Sequence, residues 1–230
     1  MLDTIGVKKG VVILRNYVQE DRIRQIARGT TVDGYEFMED DFPKLREMLY
    51  ECIEQPKQPE SDRGVVAVDH FFNVRGIGPV ALGIVKSGQI HKHDKLVMHP
   101  TDKVAQVRSI QKHDSDFDVA EAGDRVGVAL KNVEASDLDR GLVLSNGEIK
   151  RTTQVTGKLD LVKYWSNPVE EGMAVHVGYW MQFVAAKITS VDQNSVTVRL
   201  EKPLAHPEGA RGTVMYLNGG NLRVMGSIQL

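Results

Sequence analysis

One cysteine in 230 residues, no hydrophobic run of membrane length and almost no surplus of charge: each shortage excludes something. A lone Cys52 cannot close an internal disulfide, which is what a reducing compartment favours, so a cytoplasmic protein is expected. The longest apolar runs, such as Val11-Val12-Ile13-Leu14 and Val65-Val66-Ala67-Val68, fall far below the roughly 18 to 20 residues of a membrane helix. No membrane partner is therefore expected, and Met1-Leu2-Asp3-Thr4 lacks the basic and apolar regions of a secretory signal. With 29 Lys+Arg against 31 Asp+Glu, the formal charge of −2 rules out a polycation that holds nucleic acid by charge alone. No DNA partner is expected, and any RNA contact must be local and shaped.

Chemistry-bearing motifs are missing too. No Gly-x-x-x-x-Gly-Lys-Ser/Thr loop occurs, so the chain carries no phosphate cradle and no Mg²⁺-binding hydroxyl of that type. No Gly-x-Ser-x-Gly elbow occurs, and Cys52 falls on the apolar face of an expected helix, so nucleophilic catalysis has no candidate. His91, His93, Asp94 and His99 lie close enough in sequence to consider a metal, but interleaved with Lys92 and Lys95 they read more simply as a solvated rim. Asp114, Asp116 and Asp118 imitate the start of a calcium loop, with Val119 at its glycine position and Arg125 at its glutamate, and are rejected. Neither catalytic residues nor a metal is expected. Trp165, Trp180, Tyr164 and Tyr179 have the chemistry to stack on bases, although barrel packing is the plainer use of them.

What is present divides into three parts. Residues 1–57 mix α and β. Gly10 to Leu14 is a continuous apolar run, as in a strand buried on both faces, and Glu20 to Ala27 reads as a short surface helix. Phe42, Leu45, Met48, Leu49, Cys52 and Ile53 follow helical spacing, so a helix is expected over Asp41 to Ile53, capped by Asp41, with a linker over Gln55 to Asp62. From residue 63 helical periodicity fades. Short β-rich runs recur between glycine turns at 64–74, 79–86, 95–98, 104–110, 125–130 and 141–144. A second series follows at 155–162, 173–178, 183–191, 195–200, 211–216 and 222–228. The expected fold is mainly β: two consecutive small β-barrels, over 62–147 and 151–230, preceded by a partial α/β segment.

The stretch Val66-Ala67-Val68-Asp69-His70-Phe71-Phe72-Asn73-Val74-Arg75-Gly76-Ile77-Gly78-Pro79-Val80-Ala81-Leu82-Gly83, with Ala122-Gly123-Asp124-Arg125-Val126-Gly127 further on, resembles the second domain of translational GTPases of the elongation factor Tu type. Glu201-Lys202-Pro203, Arg211-Gly212 and Leu222-Arg223-Val224-Met225-Gly226 resemble the third domain more loosely. Within that superfamily the pattern looks most like the selenocysteine-specific elongation factors (SelB), which carry an Asp followed by His or Arg in the first strand and an Arg after Ala-Gly-x. The matching positions here are Asp69, His70 and Arg125. Residues 1–57 then look like a truncated G domain without its motifs, because Leu14-Arg15-Asn16-Tyr17-Val18 stands where Asn-Lys-x-Asp is customary.

The resemblance implies a non-enzymatic factor that holds the acceptor end of an aminoacyl-tRNA, selenocysteyl-tRNA being one option, and that meets the ribosome. Asp69, His70 and Arg125 would face the amino acid, with Lys86, Lys92 and Lys95 as phosphate contacts. A selenol is an anion at neutral pH, and cationic side chains oriented by an acid would favour it over serine. The same three residues also read as a structural ion-pair cluster at a barrel rim. Strict alternation sends Asp69 and His70 to opposite faces, so a pocket requires a bulge or bend at Phe71-Phe72. Pro79, Leu82 and His93 depart from the family pattern. Two alternatives follow: a later portion of a GTP-dependent elongation factor whose nucleotide and Mg²⁺ site lies upstream of Met1, or a scaffold that lost tRNA binding. Otherwise no cofactor is expected.

Overall fold

A computed structural model describes residues 1–51 and 63–230, and the chain divides into two compact units, Met1–Lys57 and Gln58–Leu230. In the first unit β1 (Val11–Leu14) and β2 (Glu36–Glu39) pair in parallel, Val11 opposite Glu36 and Leu14 opposite Glu39. Helix α1 (Glu20–Ala27) lies between them in the chain, and its Arg24 guanidinium sits 4.1 Å over the Phe37 ring. Contrary to the expectation of a strand buried on both faces, all four residues of β1 are only half-buried. Helix α2 (Phe42–Glu51) forms where helical spacing places it. Asp41 caps it as expected, Oδ1 accepting the Lys44 N–H at 3.1 Å. Cys52, Ile53 and the expected linker lie outside the described residues.

The second unit is mainly β. Its first half contains β3 (Val65–Val74), β4 (Gly78–Ser87), β5 (Gln89–His91), β6 (Lys95–His99), β7 (Lys103–Lys112), β8 (Ser115–Phe117), β9 (Val119–Glu121), β10 (Arg125–Lys131) and β11 (Val143–Ser145). The ladder runs β10-β4-β3-β11-β6-β7, and β10 pairs back onto β7, which closes the barrel. Inward positions alternate along the strands, so Val68, Val85, Leu96, Met98, Ile110, Val128 and Leu144 are fully buried in one core. Burying each such side chain contributes about 1.5–3 kcal/mol.

Its second half contains β12 (Lys150–Gly157), β13 (Leu159–Leu161), β14 (Ala174–Tyr179), β15 (Gln182–Val191), β16 (Val196–His206), β17 (Arg211–Met215) and β18 (Val224–Gln229). The ladder order is β12-β16-β15-β14-β17-β18-β13. β12 and β13 are separated by Lys158 alone, so one bent strand pairs β16 with its first part and β18 with its second. That bend closes the second barrel around Val177, Ile188, Val198, Leu204, Val214 and Met225.

The two barrels are fixed to each other by a dry contact and a charged one. Val65 and Val143 of the first pack with Ala205 of the second, flanked by Ile149 and Trp180. A Cβ on Gly141 would lie 2.7 Å from the Met181 carbonyl oxygen, so the turn into β11 meets the β14–β15 turn where only glycine fits. Arg151 grips Asp102 with 2.6 and 2.7 Å hydrogen bonds. Beside this pair His99 is buried, its Nε2 2.9 Å from Ser145 Oγ. Ser145 donates its hydroxyl proton to the Gly147 carbonyl, so Nε2 must carry the imidazole proton, leaving buried Nδ1 without a partner.

Burial pushes the His99 pKa below its ordinary 6.5, the Arg151 charge adds to that, and Asp102 opposes it. A folded-state value below the unfolded one means that the unfolded chain takes up the proton first as pH falls. The His99 contribution is therefore complete above pH 6.5 and is lost progressively below it. Thermal unfolding between pH 7.5 and 5 is expected to show this loss in the native chain and a flatter profile in His99→Asn. Parallel profiles for the two proteins would contradict the assignment.

Candidate functional site

The outer face of the first barrel carries a groove of about 510 Å³. Phe72 and Val74 of β3, Ile77 of the following turn and Val80 and Leu82 of β4 give it an apolar floor. Ser109 and Gln111 of β7, His113 and Asp114 beyond it, and Arg125 of β10 give it a polar rim. Arg108 Nη1 donates to the Ile77 carbonyl at 2.7 Å and so ties the β3–β4 turn to β7. Gly127 keeps the floor open, since a Cβ there would meet Leu82 Cδ2 at 3.3 Å.

The bulge expected at Phe71-Phe72 exists two residues earlier, at Asp69. Val68 pairs Gly83 and His70 pairs Leu82, so Asp69 is the extra residue in the β3–β4 ladder. Freed from the ladder, its carboxylate reaches Arg125 Nη1 at 2.5 Å. The Asp69 side chain is 15% exposed and that of Arg125 59%. Asp69 Oδ1 is buried with no hydrogen-bond partner, so the pair is held from the carboxylate side while the guanidinium reaches into the groove.

The other expected site residues go elsewhere. His70 is exposed, lies 6.2 Å from the Phe72 ring, and stands beside the groove without lining it. Lys86 and Lys95 are exposed at the end of β4 and the start of β6, and Lys92 Nζ lies 3.9 Å from Asp118. None of the three lines the groove. His93 adopts φ +77°, a left-handed conformation that favours glycine. Pro79 falls one residue beyond the β4–β10 ladder, where a missing donor costs no bond to β10.

The histidines considered for a metal separate. His91 Nδ1 is 3.7 Å from Asp94, whose Oδ2 also accepts the His91 N–H at 2.8 Å and Asn146 Nδ2 at 3.0 Å, while His99 is buried at the joint. Among the described residues no group of three His, Cys, Asp or Glu side chains is placed to hold a metal. Trp165 packs edge-on against Tyr216 at 6.1 Å and Trp180 belongs to the barrel joint, whereas Tyr164 remains exposed.

Sequence reasoning missed Ser109, Gln111, His113 and Asp114. Lys112 pairs Ser115, so His113 and Asp114 form a two-residue hairpin loop with φ of +50° and +61°. Such loops normally announce themselves with Asn-Gly or Gly-Gly. Here the loop is built of two ionisable residues and overhangs the groove.

A closed first barrel with a polar-rimmed outer groove, joined rigidly to a second barrel, defines a translation-factor architecture. The Elongation factor Tu domain 2 family matches residues 78–145. The uncharacterized protein MJ0325 of Methanocaldococcus jannaschii is 34% identical over 226 residues, 98% of this chain and 72% of its own length. The Selenocysteine-specific elongation factor of the same organism is 32% identical over 151 residues, 65% of this chain. The chain spans 32% of that relative's length in the match. The translation elongation factor SelB of Methanococcus maripaludis in its apo form superposes with a TM-score of 0.80 over 99% of this chain and 59% of that one, at 20% identity, a likeness of fold. The chain belongs to the elongation factor Tu-like family of translation factors, with SelB and elongation factor 1-alpha among its homologues.

The Asp69–Arg125 pair is expected to couple weakly because the guanidinium is more than half exposed. A double-mutant cycle with Asp69→Asn and Arg125→Gln, read by urea unfolding, should give about 1 kcal/mol at low salt and less at high salt. Zero coupling at low salt would mean that the contact orients nothing.

Proposed function

We propose that the chain is a translation elongation factor-like protein that holds the aminoacylated acceptor end of a tRNA in the first-barrel groove. The observation that carries this reading is the groove itself, an apolar floor broad enough for a planar or aliphatic group beside a polar rim with one oriented cation. Floor contacts favour a base or side chain by area, while Arg125, Gln111 and Ser109 offer hydrogen bonds to ester, ribose or phosphate oxygens. Asp69 positions Arg125 and neutralises much of its charge, so the groove selects by shape and hydrogen bonding rather than by bulk attraction. Selenocysteyl-tRNA is one candidate, the ribosome is a further partner, and the setting is cytoplasmic. Lys86, Lys92 and Lys95 serve as peripheral phosphate contacts outside the groove. This reading gives the chain no bond-making step and no GTP hydrolysis, and it requires no cofactor.

Binding of aminoacylated and deacylated tRNA, measured by anisotropy across a salt series, tests the reading. The aminoacylated form should bind more tightly at every salt concentration. Arg125→Ala should reduce that preference about fivefold, near 1 kcal/mol for a contact this exposed. Equal, weak binding of both forms with a steep salt slope would defeat it.

A further inference from the structure

The outer face of the second barrel carries an arrangement that the acceptor-end reading does not use. Phe183 of β15 and His176 of β14 stack with centroids 4.4 Å apart and planes 11° off parallel. Phe183 is 48% exposed, so one face of the stack is open to water. Phe183 opposes Gly178 and His176 opposes Ala185, small residues on the β14–β15 side of the stack, while Met215 of β17 lies opposite His176 on the other side.

Further along the same face the chemistry changes. Lys187 of β15 lies directly opposite Arg199 of β16, which in turn lies opposite Gln154 of β12. Like charges placed directly opposite each other in a ladder destabilise it. Both side chains are exposed, and neither pairs with a carboxylate among the described residues. The next rung is hydroxylic, with Thr156 and Thr197 hydrogen-bonded at 3.0 Å. Glu201 lies two residues along β16 from Arg199, outside the paired rungs.

We infer that this face binds an unpaired stretch of RNA, a base stacking on Phe183 while successive phosphates meet Lys187 and Arg199. An exposed ring stack offers a planar platform to any base, and a facing pair of cations is relieved by a polyanion. Phe183 and Lys187 are four residues apart on one strand, about 13 Å, so the base and phosphate contacts belong to neighbouring nucleotides rather than to one. An acidic peptide would satisfy the cations but leave the ring stack without a planar partner.

The test is anisotropy of a fluorescent octauridylate on the intact chain between 50 and 200 mM salt. Phe183→Ala should weaken binding about tenfold, and Phe183→Tyr should restore it. Replacing Lys187 and Arg199 together by Gln should lower the slope of log K against log salt by roughly 1.4, two single-strand phosphates. Arg125→Ala should leave this binding unchanged, which separates it from the groove on the first barrel. The inference is overturned if octauridylate does not bind, if either set of substitutions changes nothing, or if Arg125→Ala abolishes binding. Equal binding of polyglutamate, or of an RNA duplex of the same length, overturns it as well.

Discussion

Strand β10 pairs with β4 on one side and β7 on the other, and nearly everything distinctive in the first barrel depends on that double ladder. Closure removes the free sheet edges that would otherwise template unwanted pairing. It makes inward positions dry on every strand. It also bends β3, β4, β7 and β10 into a continuous outer wall, and the groove is the hollow of that wall under the β7–β8 loop. Arg125, the first residue of β10, thereby stands across β4 from Asp69 of β3. A bulge at Asp69 lets the carboxylate cross that distance.

The joint with the second barrel has a different character. Its apolar part is small, and much of its definition comes from a directional contact across it, Arg151 on Asp102, while within the second barrel the Gln182 side-chain amide bonds both the N–H and the C=O of Ala205 at 2.8 and 2.7 Å and so fixes the residue that the first barrel packs against. Directional bonds fix an angle where oily contact alone allows sliding. A neutral His99 beneath the connecting segment adds a proton-sensitive member to the same joint.

The barrels were largely legible in the sequence because closed sheets impose alternation, and alternation survives in composition. The runs expected over 64–74, 104–110 and 183–191 became β3, β7 and β15 with ends shifted by a few residues. The short strands β5, β8 and β9 were missed because three residues carry too little periodicity. β2, four residues with a charged residue at each end, was missed too, and with it the parallel partner of β1. The groove was harder. Asp69 and Arg125 were recognised through family resemblance, and they meet. His70, named with them, does not line the groove because neighbours on a strand face different directions, and Lys86, Lys92 and Lys95 do not line it because they lie at the end of β4, in the β5–β6 turn and at the start of β6. His113 and Asp114 lie at the rim because of left-handed backbone angles that no composition rule assigns to a His-Asp pair.

The central claim is that the outer groove of the first barrel receives an aminoacylated RNA end. The most direct measurement is an amide and methyl chemical-shift footprint of the labelled chain with an acceptor-stem minihelix, charged and uncharged. The account predicts shifts centred on Phe72, Leu82, Gln111, His113 and Arg125, larger with the charged minihelix. A footprint that avoids these residues, or one identical for both forms, would contradict it.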